Sequence, residues 1–150
     1  MDIDQKVRYY KRLYDHPSGL SLCDLYDIAR DLDVTFFKGD FAEMKGAYYY
    51  IERTKFIVLD YNLSSIEERF VLAHELGHAI FHRTESCFFN RRYAQAMKPR
   101  MELEADEFSA KSLLPKIIPI EDRRYYTLEQ LAIKYCVPVE LMRIKLKLPK

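Results

Sequence analysis

The alternation of apolar and polar residues predicts helices at the start of the chain. Residues 4–15 carry apolar side chains at helical spacing, so we expect them to form an amphipathic helix. Ser21 is followed three residues later by Asp24, which is the spacing of a capping box. The pattern behind this cap predicts a second helix that ends at about Leu32.

The next part of the chain has the pattern of short β-strands. Residues 34–39, VTFFKG, are rich in β-branched and aromatic side chains and predict a strand. Residues 47–51 and 55–59 are mainly apolar and are separated by a polar turn at 52–54, which predicts a β-hairpin. We therefore expect a small antiparallel sheet.

Two stronger helical patterns follow the hairpin. Ser65 and Glu68 have capping-box spacing and predict the start of a helix, whose later residues are apolar around most of its circumference. Such a helix is buried on all sides. A second helix is predicted in RMELEADEFSAKSLLP and ends at Pro115. Residues 83–99 have no clear period and are predicted to form a loop, and residues 115–126 a connector.

Two shorter helices are predicted near the C-terminus. Thr127 with Gln130 caps the first, and Pro138 lies in the first turn of the second. The predicted order of elements is typical of an α+β fold. A small antiparallel sheet would pack against a central helix and a second long helix, with extra helices at both termini.

Length and composition indicate one soluble domain. We expect the 150 residues to form a single domain, with a core at about 33–115 and a C-terminal helical pair at about 127–147. The net charge of +1 gives no overall attraction to nucleic acid or membrane. No apolar run reaches the ~18 residues of a membrane span, and the charged N-terminus is unlike a signal peptide. The cysteines lack paired spacing, so we predict reduced thiols and a cytoplasmic location.

The predicted central helix contains the sequence HELGH, residues 74–78. His74 and His78 are four residues apart, so both rings face one side of the helix and can bind one zinc ion. Glu75 points beside the metal, where it can act as general base for a hydrolytic water. Gly77 weakens a helix, and its presence predicts that another backbone packs close to the metal.

A catalytic zinc ion needs a third protein ligand, and the second predicted helix offers three carboxylates. Glu102 and Asp106 share a face, so Glu102 can bind zinc while Asp106 accepts a hydrogen bond from a ligand histidine. Glu104 lies about 200° around the helix from Glu102, so only one of the two can be a ligand. Spacing alone leaves Glu104 open as the alternative.

The two helices resemble the ImmA/IrrE family of zinc metallopeptidases. ERFVLAHELGHAIFH and ELEADEFSAKSLLP match the family patterns FxxAHELGHxxxH and ExxANxFAxxLLxP, and the similarity is good over roughly residues 45–115. The resemblance implies a zincin-like endopeptidase with one zinc ion and with Glu102 as third ligand. Asp106 replaces the usual asparagine and Ser109 the usual alanine, and both are mild departures.

The resemblance also implies a substrate and a biological setting. Members of this family are bacterial or mobile-element proteases that act in the cytoplasm on helix-turn-helix repressors. The expected partner is therefore a repressor-like protein. In zincins an edge strand above the metal pairs with the extended substrate, and residues 47–51 or 55–59 are the candidates for this edge.

Other polar residues near the central helix have less specific patterns. His82 follows His78 by four residues, and we favour contact with the C-terminal carbonyls of the helix over a role in binding substrate or an oxyanion. Candidates for oxyanion stabilisation are Arg91, Arg92, Tyr93 and the tyrosines at 48–50. The pattern does not distinguish among them.

A rival interpretation is a regulator that cuts nothing and uses a structural or relic zinc site. The C-terminal pair, TLEQLAIKYCVPVELMRIKLKLP, resembles the first half of a helix-turn-helix and could bind DNA or a protein partner. However, Val139, Leu141 and Met142 occupy the start of the second helix, where a DNA reader needs polar side chains. We therefore expect these helices to pack on the rest of the domain.

Overall fold

The computed structural model describes residues 1–41, 43–85, 87–89 and 99–149, with only the backbone of 87–89 and 99. The predicted α+β class is confirmed. The elements in chain order are α1 (Ile3–Leu13), α2 (Leu22–Asp31), β1 (Val34–Gly39), β2 (Gly46–Ile51), β3 (Thr54–Asp60), α3 (Ser65–Phe81), β4 (Cys87–Phe89), α4 (Pro99–Leu113), α5 (Ile120–Tyr125), α6 (Leu128–Lys134) and α7 (Val139–Lys145).

Capping boxes fix the starts of several helices. The boxes predicted for α2 and α6 are both formed. At α3 the prediction was wrong by one residue, because Ser64 is the N-cap and pairs with Glu67 rather than Ser65 with Glu68. The sequence SSIEE contains both matches. Glu68 instead accepts a hydrogen bond from Lys38 of β1 at 2.6 Å, which leaves Glu67 free for the cap.

The sheet has the strand order β1-β3-β2-β4 and is mixed. β2 and β3 run antiparallel and form the predicted hairpin. β4 also runs antiparallel to β2, whereas β1 runs parallel to β3. The prediction of a wholly antiparallel sheet was therefore wrong in this respect. Its physical reason is that β1 lies beside β3 rather than beside β2, its neighbour in the chain. Strand patterns do not reveal such non-local pairing.

Two segments that were predicted to be irregular contain regular structure. Within the predicted loop 83–99, β4 pairs with Gly46–Tyr48 of β2, while residues 86 and 90–98 lie outside the description. Within the predicted connector 115–126, α5 forms a short helix. No residue of α5 is buried, so its sequence has no apolar stripe to announce a helix.

Helix α3 is the centre of the fold. It contacts α2 and α4 as well as strands β2 and β3, and every residue from 71 to 79 is buried. The prediction of a central buried helix is confirmed for residues 71–79, whereas Ser65 and Ile66 in its first turn are exposed. The C-terminal helices pack on this core as expected, since α7 contacts α4 and both Leu141 and Met142 are fully buried. Among the described residues, no helix combines the length and apolar character needed to cross a membrane.

Arg69 of α3 connects three other parts of the chain through backbone carbonyl groups. It donates hydrogen bonds to Leu20 before α2 at 2.8 Å, to Leu113 at the end of α4 at 3.1 Å, and to Cys136 between α6 and α7 at 3.4 Å. The guanidinium group is well suited to this because it carries several donors in a rigid plane. Arg69 therefore fixes the far end of α4 against α3.

We predict that Arg69→Met lowers the free energy of unfolding by about 2–3 kcal/mol, because a charged donor is lost from partly buried carbonyls. Chemical denaturation measures the change. Arg30→Met is the control, since Arg30 is exposed and forms a surface ion pair with Asp27, three residues before it, and its effect should stay within about 0.5 kcal/mol. Equal losses in the two variants would contradict the role given to Arg69.

Candidate metal centre

Three of the predicted site residues converge on one point between α3 and α4. His74 and His78 lie one turn apart on α3, and their Nε2 atoms are 3.2 Å from each other. Glu102 reaches them from α4, with its Oε2 3.2 Å from His74 Nε2 and its Oε1 3.2 Å from His78 Nε2. One donor atom from each residue lies within 4.8 Å of the other two, so the group could hold a metal ion.

The geometry and the chemistry of these donors fit a tetrahedral cation. Ligand nitrogens at about 2.0–2.1 Å from zinc are separated by about 3.3 Å, close to the 3.2 Å observed between the two histidines. Two imidazoles and one carboxylate form a common ligand set for catalytic zinc. Glu102 Oε1 is also buried without a hydrogen-bond partner among the described residues. A cation at this point would satisfy that oxygen.

The charges of the three groups are strongly coupled. Burial alone would lower the pKa of His74, but hydrogen bonds to Asp106 and Glu102 outweigh it and raise the pKa to about 10. Burial alone would raise the pKa of Glu102, but the two histidines lower it to about 2. Burial lowers the pKa of His78. The centre therefore contains an ionised carboxylate directed at the histidine nitrogens.

Glu75 lies beside this group and is completely buried. Both of its carboxylate oxygens lack hydrogen-bond partners among the described residues. Burial raises the pKa of Glu75 to about 8. A buried carboxyl group without a partner is costly to a fold, and perturbed groups of this kind cluster at functional sites. Glu75 thus occupies the position expected of an acid–base group, next to the candidate metal ligands and not among them.

Asp106 lies where the helical spacing placed it. Its Oδ1 is 2.9 Å from Nδ1 of His74, the ring nitrogen that faces away from the centre. A carboxylate can only accept a hydrogen bond here, so His74 donates through Nδ1–H, which leaves Nε2 as the ring nitrogen that could bind a metal. Contacts of this kind fix the orientation of a ligand imidazole.

Glu104, the alternative third ligand, and His82 contact each other. Glu104 is not part of the group of donors, since its Oε2 accepts a hydrogen bond from His82 Nε2 at 2.8 Å. Only the backbone of His82 makes the predicted helix-end contact, to the carbonyl of His78. Its ring is buried, with Nδ1 3.0 Å from Nδ1 of His78. The spacing of four residues between His74, His78 and His82 was the feature of the sequence that could have predicted this ring contact.

Gly77 explains how α4 comes close enough to supply Glu102. A Cβ atom on Gly77 would lie 3.0 Å from the Cα of Ala105, closer than ordinary contact allows. The sequence prediction that another backbone packs against this glycine agrees with the structure. The neighbouring helix is the one that carries the third donor residue, Glu102, three residues before Ala105.

Strand β2 lies against the face of α3 that carries Glu75. A Cβ atom on Gly46 would meet Val71 at 2.5 Å and the Cγ of Glu75 at 3.4 Å. The prediction that residues 55–59 could form an edge strand was wrong, because β3 lies inside the sheet. Residues 47–51 were right only in part, because β4 covers β2 at Gly46–Tyr48. Pairing partners decide which strand is an edge, and the local sequence does not specify them.

The oxyanion candidates are only partly described by the structure. Arg91, Arg92 and Tyr93 lie outside the described residues. Tyr48 is fully buried, and its hydroxyl group donates a hydrogen bond to the carbonyl of Arg83 at 2.7 Å, so its role is structural. Tyr49 is partly buried, and burial followed by the charge of Glu75 raises its pKa.

Comparison with known proteins identifies the family. The model of the IrrE N-terminal-like domain, a peptidase family, matches residues 29–147, and the chain belongs to this family. It is 35% identical over 104 residues to "Uncharacterized immunity region protein 2" of Bacillus phage phi105, covering 69% of this chain and 66% of that protein. It is 25% identical over 118 residues to "Metallopeptidase ImmA" of Bacillus subtilis strain 168, covering 77% and 70% respectively.

These matches confirm the resemblance seen in the sequence motifs and support a protease role that uses a metal. The chain spans just under two thirds of the length of the phage relative, 66%.

We predict that Gly77→Val destabilises the metal-free protein by about 1–3 kcal/mol, because the added side chain overlaps the backbone of α4. Helix propensity alone would favour valine over glycine, so a loss isolates the steric effect. Gly39→Val is the control, since the three nearest atoms to a Cβ there all belong to the side-chain ring of Phe41, which can move, and not to a backbone. Denaturant unfolding in the presence of a chelator measures both variants. An unchanged or more stable Gly77→Val would contradict the close approach of the helices.

Proposed function

We propose that the protein is a zinc-dependent endopeptidase that hydrolyses a peptide bond in a regulatory protein. The observation that carries this proposal is the juxtaposition of Glu75 with the donor group His74, His78 and Glu102. Three ligands from the protein leave one tetrahedral position for the reaction, as in catalytic zinc sites. Membership in a peptidase family supports the same reaction class.

In this proposal His74, His78 and Glu102 bind one zinc ion, and Asp106 orients His74. When bound, zinc acts as a Lewis acid that activates water and polarises the scissile carbonyl group. Glu75 then takes the proton of the attacking water and passes it to the departing amine. Its position suits both halves of this task, because its carboxylate oxygens have no other hydrogen-bond partner among the described residues.

The proposed substrate is a helix-turn-helix repressor of a phage or other mobile element. Support comes from the motif resemblance and from the names of the relatives, one an immunity region protein of a phage and the other ImmA. Such a substrate would be met in the cytoplasm. An extended segment of the repressor would bind along the sheet beside α3, where backbone hydrogen bonds give affinity that does not depend on sequence.

The rival role in DNA binding has little support from the C-terminal helices. Leu141 and Met142, at the start of α7, are fully buried and cannot contact bases. Among the basic residues there, Lys134 forms an ion pair with Asp122 at 2.8 Å, and Lys145 donates a hydrogen bond to the carbonyl of Lys116 at 2.9 Å. These contacts favour a structural role for the pair of helices.

The proposed set of ligands predicts which carboxylate side chain is needed to bind zinc. We expect about one zinc per chain in the wild type and almost none in His74→Ala or Glu102→Gln, measured by elemental analysis after desalting. Glu104→Gln should keep its zinc, because a glutamine oxygen can still accept the hydrogen bond from His82. The assignment is wrong if Glu104→Gln loses zinc while Glu102→Gln retains it.

The proposed general base predicts a separation of activity from metal binding. Glu75→Gln preserves shape but removes the proton acceptor, so it should keep zinc and fold while cleavage falls by ~10²–10⁴-fold. The assay follows the loss of intact helix-turn-helix repressor on a denaturing gel. Glu129→Gln, an exposed change on α6, is the matched control and should cut like the wild type.

The comparison is made with a repressor that the wild type demonstrably cuts. A Glu75→Gln variant that binds zinc and cuts this repressor at an undiminished rate would exclude the proposed role. Equal loss in Glu129→Gln would point instead to a general effect of removing charge.

A further inference from the structure

His82 occupies an unusual position, since both nitrogens of its buried ring have polar partners. Its Nδ1 is 3.0 Å from Nδ1 of His78, and its Nε2 is 2.8 Å from Oε2 of Glu104. Glu104 is held in turn by Arg100, whose Nε lies 2.8 Å from the other carboxylate oxygen. Three side chains therefore form a continuous line of hydrogen bonds that ends at a proposed metal ligand.

The hydrogen-bond chemistry of the groups gives one consistent set of directions for a neutral His82. The Glu104 carboxylate has no proton to give, so His82 donates through Nε2–H. The neutral ring carries no second proton, so its Nδ1 is a lone pair and accepts. The proton between the two rings then belongs to Nδ1 of His78. A His78 ring that donates through Nδ1 has its Nε2 available for a metal ion at the candidate centre.

We propose that Glu104 and His82 are positioning residues that hold His78 in the tautomer required of a metal ligand. The inference rests on the proposed metal centre and adds two residues to it. Neither residue needs to touch metal or substrate. Their effect reaches the centre through the orientation of one ring and the location of one proton, which tune a metal ligand from the layer of residues behind it.

The arrangement also accounts for the order of acidic residues on α4. Asp106 contacts the outer nitrogen of His74 directly, at 2.9 Å. Glu104 points in a different direction from Glu102, and the ring of His82 spans the distance between it and His78. Both ligand histidines are thus supported by a carboxylate of α4, one directly and one through a second histidine.

The test compares two substitutions of similar size at one position. His82→Asn keeps an acceptor near the site of the lost Nδ1, whereas His82→Leu keeps the volume but has no acceptor. We expect zinc affinity, measured by competition with a chromophoric chelator, to fall about 10–100-fold in His82→Leu and much less in His82→Asn. A purely packing role for His82 would affect both variants equally, and that result, or unchanged affinity in His82→Leu, overturns the proposal.

Folding is monitored separately by thermal melting in the presence of a chelator. If His82→Leu does not fold, Glu104→Ala replaces it, because Glu104 is only partly buried. Its matched control is Glu107→Ala, which removes a carboxylate of the same helix that pairs with Lys111. Glu104→Ala should weaken zinc binding, whereas Glu107→Ala should not. Equal affinities in these two variants would contradict the role of Glu104.

A second measurement does not depend on zinc. Long-range ¹H–¹⁵N NMR spectra of the metal-free wild type should show His82 with its proton on Nε2. A proton on Nδ1 of His82 would overturn the proposed relay even if zinc binds. If the wild type binds no zinc but shows this tautomer, the metal centre is wrong and the contact that positions His78 still stands.

Discussion

The close approach of α3 and α4 at Gly77 is the constraint on which the candidate site depends. With no side chain at this point, the backbone of Ala105 can lie against α3. That contact places Glu102 within reach of both histidines, and Arg69 holds the other end of α4 through Leu113. The distance between the two helices is therefore fixed from both ends. Wider spacing would separate the carboxylate from its partners without altering either helix.

This close packing buries polar side chains of α3, and carboxylates of α4 provide hydrogen-bond partners for most of them. Helix α3 buries three histidines and Glu75 in an otherwise apolar environment, which is unfavourable unless the polar groups find partners. Carboxylates on α4 satisfy the outer nitrogens of His74 and His82. Glu75 is the exception, since its oxygens remain without partners among the described residues. A fold tolerates such a group where chemistry needs it.

The parts of the site that follow from local helix geometry could be predicted from the sequence. Four-residue spacing brought His74 and His78 together and put Asp106 on the face of Glu102, and the isolated glycine predicted a close backbone. The relay through His82 could not be predicted in the same way, because its contact to Glu104 joins residues 22 apart in the chain. The prediction of strand partners failed for the same reason. The pairing of β1 with β3 and the short β4 depend on tertiary contacts, which leave little trace in a local pattern.

The three acidic residues of α4 share one further consequence of being on a single helix. Glu102 and Asp106 lie on one face of α4 and Glu104 on another, and the phase of all three is set by the packing of Ala105. Removing one residue such as Leu103, which is exposed, would turn Glu102 by about 100° relative to that anchor while Glu104 and Asp106 kept their places. Helix α4 can therefore accept substitutions on its outer face, but its length between Glu102 and Ala105 is fixed by helical phase.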